Sequence, residues 1–204
     1  MYGLIGSILG VLAGFTLFIP HVGVYGIGVG LAGFILVLLA VREVANATSR
    51  AEIFKYYLYA LIINVVATVI IVASLLAFLA SVFLIVGIKG EIPPPVSHPY
   101  MTDMSAVYGI LAWIILLFIT IIVCLILSTY YVKKSYYIIA EEVGVDMFRT
   151  TGLLYFLGAI LSIVIVGLVI LFIAKILEII AWANLPEKPV RKEKIPPPPP
   201  PPVL

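Results

Sequence analysis

Apolar residues fill long uninterrupted stretches of this chain. Four stretches contain no Asp, Glu, Lys or Arg, namely 1–41, 56–88, 104–132 and 150–174. A helix needs about 20 residues to cross the hydrocarbon core of a bilayer, so each stretch is long enough to span it. The first is long enough to span twice and is interrupted at Pro20, which lacks a backbone N–H and disfavours helix before it. Five spans are therefore predicted, at 4–19, 22–41, 56–88, 107–132 and 153–174.

Polar signals extend three of these helices beyond the apolar stretches. Ser49 and Glu52 have the spacing of a capping box, so the third helix should begin near residue 50. The fourth should continue past Lys133 and end at Gly144, and Asp146 should cap the fifth. With five spans, three extensions lie on one side of the membrane and form a collar, defined here as residues 50–55, 133–143 and 147–151.

Aromatic residues support this division of the chain. Tyr and Trp collect at the level of the lipid headgroups, where one end of the side chain is apolar and the other is wet. The boundary beside the collar would carry Tyr56, Tyr57, Tyr59, Tyr130, Tyr131, Tyr136 and Tyr137, and the opposite boundary Tyr108, Trp113 and Trp182.

The composition excludes a water-soluble domain. Hydrophobic residues make up 64% of the 204 positions and charged residues 11%, whereas soluble domains have about 25% charged residues. The formal charge of +2 does not fit a nucleic-acid-binding protein, and the single Cys124 excludes a disulfide framework. The sequence predicts an all-α, multi-pass protein of the cell membrane, with a transmembrane bundle over 1–184 and the lipid bilayer as its surroundings.

The N-terminus is predicted to face the cytoplasm and the tail the outside. The turn at Pro20 carries no Lys or Arg, whereas the next connection carries Arg42, Arg50 and Lys55, and positive loops stay inside. The N-terminal segment lacks the basic region and cleavage site of a signal peptide, so it should be retained.

The last segment, 185–204, is predicted to be a disordered tail. Its residues 187–194 are rich in charge, and 196–202 are seven consecutive prolines, which adopt an extended polyproline II helix. The favoured interpretation is a stiff spacer, because bare proline runs are common low-complexity sequence. The alternative is a ligand for the aromatic-lined groove of a protein partner.

Glycines indicate close packing of the first two helices. Gly6, Gly10 and Gly14 recur every fourth residue, and Gly26 and Gly30 repeat that spacing on the next helix. Small residues on one helical face let two backbones approach closely within lipid. The spacing predicts a glycine-packed N-terminal helical hairpin, with homodimerisation through the same face as the alternative.

Few polar residues lie within the predicted spans. Asn64 is the most prominent, because an amide in apolar surroundings needs a partner. Lys175 and Glu178 are three residues apart on one helix and can pair, either as a functional site or, as we favour, at the membrane interface. A transporter with a polar path would need a cavity around Asn64, Thr120 or Ser128.

No catalytic, cofactor or metal site is predicted. Glu91, His98 and Asp103 share the loop 89–103, but their spacing follows no metal-ligand pattern, and a proline-stiffened solvated loop is the favoured interpretation. An enzyme is therefore not expected.

Two stretches resemble a known family. The opening Gly3-Leu4-Ile5-Gly6-Ser7-Ile8-Leu9 and the run EEVGVDMFRTTGLLYFLGAIL at 141–161 are similar to domain-of-unknown-function family 996 of archaeal integral membrane proteins. The resemblance implies a small archaeal multi-pass protein and carries no site residues. In the second stretch, Arg149 is expected either to pair with one of the preceding carboxylates, Glu141, Glu142 or Asp146, and fix the angle between the fourth and fifth helices, or to anchor the helix at the interface.

These observations favour a non-enzymatic structural or interaction protein over a small transporter or channel subunit. Biochemical activity, transported substrate, protein partners and oligomeric state do not follow from the sequence.

Overall fold

The computed structural model describes residues 1–16, 23–88 and 104–186, and the regular secondary structure within these ranges is helical. The predicted break at Pro20, the loop 89–103 and the proline-rich part of the tail lie outside the described residues. Six α-helices and one short 3-10 segment follow one another: α1 Tyr2–Thr16, α2 Gly23–Ala47, α3 Ala51–Ile88, α4 Met104–Val143, α5 Asp146–Ile160, the 3-10 segment Leu161–Ile163 and α6 Ile165–Ala183.

The most extensive helix contacts join α1 with α2, α3 with α4, α4 with α5 and α5 with α6. Two contacts far apart along α3 and α4 fix their antiparallel register. Asn64 Nδ2 donates a hydrogen bond of 2.8 Å to Ser128 Oγ, and the rings of Phe78 and Trp113 stack at 5.1 Å. Each helix also contacts the next one along the chain, and α6 contacts α1, so the bundle closes on itself.

Four helical segments are long and apolar enough to cross a membrane. By contrast, α1 and α5 have 15 residues each, about 22 Å at ~1.5 Å per residue, which is shorter than a hydrocarbon core of about 30 Å. Within the described residues, the prediction of an all-helical protein with helices able to span a membrane is confirmed. The four segments are Gly28–Ala47, Ala51–Ser81, Tyr108–Val143 and Val166–Ala183.

The predicted fifth span, 153–174, is not one helix, and that prediction was wrong. The chain reverses at 161–164, where Val164 is extended with φ −111° and ψ 145°. Two glycines let the two arms approach closely: a Cβ at Gly158 would lie 2.9 Å from the Leu171 side chain, and one at Gly167 would overlap the backbone of Leu161. Hydropathy does not reveal this reversal, because residues 150–174 on both sides of it contain no Asp, Glu, Lys or Arg.

The reversal returns α6 to the collar end of the bundle. The indole of Trp182 packs directly on Gly3, and its ring lies 5.0 Å from the ring of Phe148. Trp182 therefore lies beside the collar, and its predicted place at the opposite boundary was wrong. The first residues of α1 and the last residues of α6 share one end of the bundle.

The buried core lies within and just beneath the collar. Stacked rings of Tyr57 and Tyr136, 6.5 Å apart, stand at its centre, and Phe148 meets Tyr136 edge-on at 5.6 Å. In the most apolar windows of α3 and α4 no residue is buried, which leaves those surfaces for lipid. The core consists of Val37, Ala40, Val41, Val44, Ala45, Ile53, Tyr57, Tyr136, Ile139, Ala140, Phe148, Ala181 and Trp182.

The predicted helix ends are mostly confirmed. α3 begins at Ala51, and α4 is followed by Gly144, whose φ of +76° is accessible to glycine at little cost. Ser49 differs from the predicted cap of α3. It lies just after the end of α2 with a φ of 57°, and its backbone N–H donates a hydrogen bond to the Asn46 carbonyl. The prediction that Asp146 caps α5 was wrong: Asp146 is the first residue of the helix, and Val145 occupies the N-cap position.

Candidate functional site

A carboxylate lies buried between three helices. Glu178 on α6 is 2% exposed. Its Oε1 accepts a hydrogen bond of 2.8 Å from the Ser7 hydroxyl on α1. Its Oε2 accepts one of 2.8 Å from Lys175 Nζ and another from the Tyr155 hydroxyl on α5. This Glu178 cluster, consisting of Ser7, Tyr155, Lys175 and Glu178, is the strongest candidate for a site in the described part of the chain.

Small residues on α1 make room for the cluster. Gly3, Ser7 and Gly10 lie at spacings of four and three, on the helical face that meets α6. Gly3 receives the indole of Trp182, Ser7 is fully buried against the carboxylate, and a Cβ at Gly10 would lie 3.5 Å from Lys175 Cε. This face of α1 therefore packs against Lys175, Glu178 and Trp182, which lie at positions i, i+3 and i+7 of α6.

Both carboxylate oxygens have donors, which is what a buried charge requires. An unpaired carboxylate in apolar surroundings is strongly unfavourable, whereas a charged partner and hydrogen bonds offset its desolvation. The Lys175 side chain keeps 29% of its surface exposed, so its ammonium group is only partly desolvated. The arrangement can hold a charge stably inside the bundle and can also link three helices.

The sequence identified two members of this cluster and missed the other two. Lys175 and Glu178 pair as their spacing predicts, but the carboxylate lies inside the bundle and not at an exposed interface. Ser7 lies 171 residues from its partner, and Tyr155 lies beyond the chain reversal. The one sequence signal for Ser7 was its place between glycines on a single helical face.

The indole nitrogen of Trp182 is also buried. It has no hydrogen-bond partner among residues 1–16, 23–88 and 104–186. Trp182 follows Glu178 by one helical turn, on the same face of α6.

Asn64 contributes to helix pairing. Its amide donates to Ser128 Oγ, and that hydroxyl in turn donates to the Ala60 carbonyl at 3.3 Å. The buried Ser135 hydroxyl similarly donates to the Ile53 carbonyl at 2.9 Å. These bonds join α3 to α4. Other hydroxyls in the spans bond carbonyls of their own helix: Thr68, Ser81, Thr120 and Thr129.

The five predicted packing glycines have different surroundings. A Cβ at Gly6 would lie 2.5 Å from the Gly33 carbonyl oxygen on α2, and one at Gly30 would lie 3.2 Å from Ala13. One at Gly26 would overlap the Thr16 hydroxyl. Gly10 instead faces Lys175 on α6, and a Cβ at Gly14 would meet no described atom within 4 Å.

Arg149 faces an aromatic ring and not a carboxylate. Its guanidinium carbon lies 5.1 Å from the centroid of Tyr137. The carboxylate of Glu142 on α4 instead lies 2.8 Å from Nε of Arg50, which is in the connection between α2 and α3. The alternative in which Arg149 pairs with Glu141, Glu142 or Asp146 was wrong, because none of these carboxylates lies within 4.0 Å of it.

Metal-ligand geometry does not occur in the described ranges, where no group of three or more His, Cys, Asp or Glu side chains comes together. The loop containing Glu91 and His98 lies outside these ranges.

Comparison with known proteins identifies the family. The model of the family described as protein of unknown function DUF996 matches residues 29–176. A relative, the uncharacterized protein MJ1644 of Methanocaldococcus jannaschii, is 32% identical over 166 residues, which are 80% of this chain and 84% of the relative. No solved structure matches the chain. The resemblance read from the sequence is confirmed, and the chain belongs to the DUF996 family of proteins of unknown function.

Proposed function

We propose that this protein is a non-enzymatic integral membrane protein with a structural or interaction role. One observation carries the proposal: both oxygens of the most deeply buried carboxylate bond side chains from α1, α5 and α6. An active or transport site usually leaves a group free for its ligand, whereas here the donors come from the protein itself. The Glu178 cluster then acts as a polar link that fixes three helices relative to one another.

The pairing of α3 with α4 supports the same role. A transport path was expected to need polar groups facing a cavity at Asn64, Thr120 or Ser128. Asn64 and Ser128 bond each other, and Thr120 bonds the Leu116 carbonyl of its own helix. Hydrogen bonds of this kind stabilise helix pairs in membranes by about 0.6 kcal/mol, and up to ~1.7.

The 15-residue lengths of α1 and α5 support a membrane arrangement in which neither crosses the bilayer, although their partners α2 and α6 are long enough to do so. We propose that α3 and α4 cross the bilayer fully, while α1 with α2 and α5 with α6 enter from the collar side and return to it as hairpins. The first hairpin packs through Gly6 and Gly33. This arrangement replaces the five predicted spans by paired helices that begin and end on one side.

The distribution of positive charge orients this arrangement. Lys89 follows the far end of α3, whereas six positively charged residues lie at the collar end: Arg42, Arg50, Lys55, Lys133, Lys134 and Arg149. Positively charged connections stay in the cytoplasm, so the collar, the start of α1 and the end of α6 face the cytoplasm of the cell membrane. The proline-rich tail, which follows Pro186, is then available to a cytoplasmic protein partner, as a spacer or as a ligand.

A small transporter or channel subunit is the second candidate, and the burial of Glu178 favours it. Ionisable residues inside membrane proteins often mark proton or ion pathways. Lys175, partly exposed beside the carboxylate, would then connect the cluster to the bundle surface.

Reconstitution distinguishes the two candidates. The purified full chain and its Glu178→Gln variant would be placed in vesicles containing a pH-sensitive dye, with Glu141→Gln at an exposed position of α4 as the control. A structural role predicts no proton flux above that of empty vesicles and a lower melting temperature for Glu178→Gln alone. Proton flux in the parent protein that Glu178→Gln abolishes would overturn the structural role in favour of transport.

A further inference from the structure

Three cationic side chains lie at the border of the apolar stretches of α4 and α5. Lys133 and Lys134 follow directly after the uncharged residues 104–132, and Arg149 lies on the neighbouring α5. Such a position, next to a belt of tyrosines, is the level of the lipid headgroups.

Aromatic rings hold these cations in place. Lys133 Nζ lies 4.8 Å from the ring centroid of Phe156, and Lys134 Nζ lies 4.8 Å from that of Tyr130. Two further contacts involve Tyr137, whose centroid is 5.6 Å from Lys133 Nζ and 5.1 Å from Arg149 Cζ. The quadrupole of an aromatic ring attracts a cation that lies over its face. The cation keeps its charge and its N–H donors for a further partner.

The three cations form no ion pair within the described part of the chain. In the described part of the chain, neither lysine nor Arg149 has a carboxylate oxygen within 4.0 Å. The neighbouring Glu142 is paired with Arg50. An anion from the surroundings is therefore the natural partner of this surface.

A concave space lies beside the two lysines. It has a volume of about 370 Å³, room enough for a phosphate headgroup. One carboxylate, that of Glu52, borders it together with the two ammonium groups. The bordering residues are Glu52, Tyr56, Tyr130, Lys133, Lys134, Tyr137 and Ile138.

The adjacent surface of α4 can accommodate acyl chains. Val123 and Leu127 are 57% and 46% exposed, and with Tyr130 and Lys134 they form one stripe at spacings of four and three. A molecule with a phosphate at Lys134 and a hydrocarbon chain below it would match the stripe along its whole length.

We propose that this surface, formed by Lys133, Lys134, Tyr56, Tyr130 and Tyr137, binds the phosphate headgroup of an anionic phospholipid. The ammonium groups neutralise the phosphate, and tyrosine hydroxyls donate to its oxygens or to the polar part of the headgroup. A lipid is favoured over a soluble phosphate compound because the apolar stripe continues directly from the charged site.

Binding would be measured on the full chain in detergent, by native mass spectrometry and by titration of short-chain phosphatidylglycerol. Phosphatidylcholine and inorganic phosphate at equal concentration form the other arms. Lys133→Gln and Lys134→Gln each remove one charge from the site, Lys133→Arg keeps the charge, and Arg42→Gln removes a charge from an exposed position on α2. Melting temperatures without lipid verify that each variant is folded.

Phosphatidylglycerol should bind more tightly than phosphatidylcholine. Each Lys→Gln change should weaken its binding about fivefold, as expected for one basic residue near anionic headgroups, while Lys133→Arg and Arg42→Gln retain it. Equal binding of both lipids, or an equal loss with Arg42→Gln, would overturn the site. Inorganic phosphate that competes as well as the lipid would overturn the lipid as its ligand.

Discussion

The Ser7 hydroxyl, on the second turn of α1, donates a hydrogen bond of 2.8 Å to Glu178 on α6, 171 residues away. The bond joins the first helix of the bundle to the last and lies inside it, where both residues are shielded from solvent and lipid. Because Tyr155 bonds the same carboxylate from α5, the position of α1 is coupled to the hairpin of α5 and α6.

Removing a donor to Glu178 should destabilise the bundle. Ser7→Ala leaves Oε1 without its buried partner, which costs about 1–3 kcal/mol, or roughly 2–12 °C in melting temperature for a protein of this size. Thermal unfolding in detergent measures the effect, with Thr150→Ala at an exposed site of α5 as the control. A melting temperature equal to that of the parent protein would show that the bond contributes nothing.

Two glycines on α1 should tolerate substitution very differently. A side chain at Gly6 would press against the Gly33 carbonyl oxygen at 2.5 Å, whereas one at Gly14 meets no described atom within 4 Å. Gly6→Leu should separate α1 from α2 and lower stability by more than about 3 kcal/mol, since overpacking commonly costs 1–3 and backbone cannot yield easily. Gly14→Leu is the matched control in the same melting experiment. Equal effects of the two substitutions would contradict packing through Gly6.

The start of α1 and the end of α6 should be labelled from the same side of the membrane. With Cys124 replaced by alanine, single cysteines at Tyr2 and Asn184 would report the collar end, and one at Tyr108 the far end. A membrane-impermeant maleimide applied to sealed vesicles of known orientation should reach Tyr2→Cys and Asn184→Cys together and Tyr108→Cys from the other face. Labelling of Asn184→Cys together with Tyr108→Cys would indicate that 153–174 crosses the membrane once.

The pairing of α3 with α4 should depend on Asn64 more than on its neighbour Thr68. Asn64 bonds Ser128 on the other helix, while Thr68 bonds the Asn64 carbonyl on its own helix. Asn64→Leu should lower stability by about 1 kcal/mol, whereas Thr68→Val should have a smaller effect. Double substitution with Ser128→Ala tests the coupling, because two residues in one hydrogen bond give non-additive losses. Additive losses would show that the bond is not formed in the folded protein.

The sequence alone determined that the protein is helical with stretches able to cross a membrane, where most of its helices begin and end, and which family it resembles. Those properties depend on local features: uncharged length, which sets the surrounding medium, and residues such as Gly144, whose backbone freedom ends a helix. Hydropathy reveals the apolar helices because every side chain that faces lipid must be apolar along the whole length of the helix.

Only the tertiary structure decided the number of helices in 153–174, the shared end of α1 and α6, and the cluster around Glu178. The reversal at Val164 follows from close packing of Gly158 and Gly167, and an apolar stretch has the same hydropathy whether it continues or turns back. Ser7 and Tyr155 become partners of the carboxylate because the bundle closes on itself. Contacts between residues so far apart arise from how helices pack, and no local pattern in the chain specifies that packing.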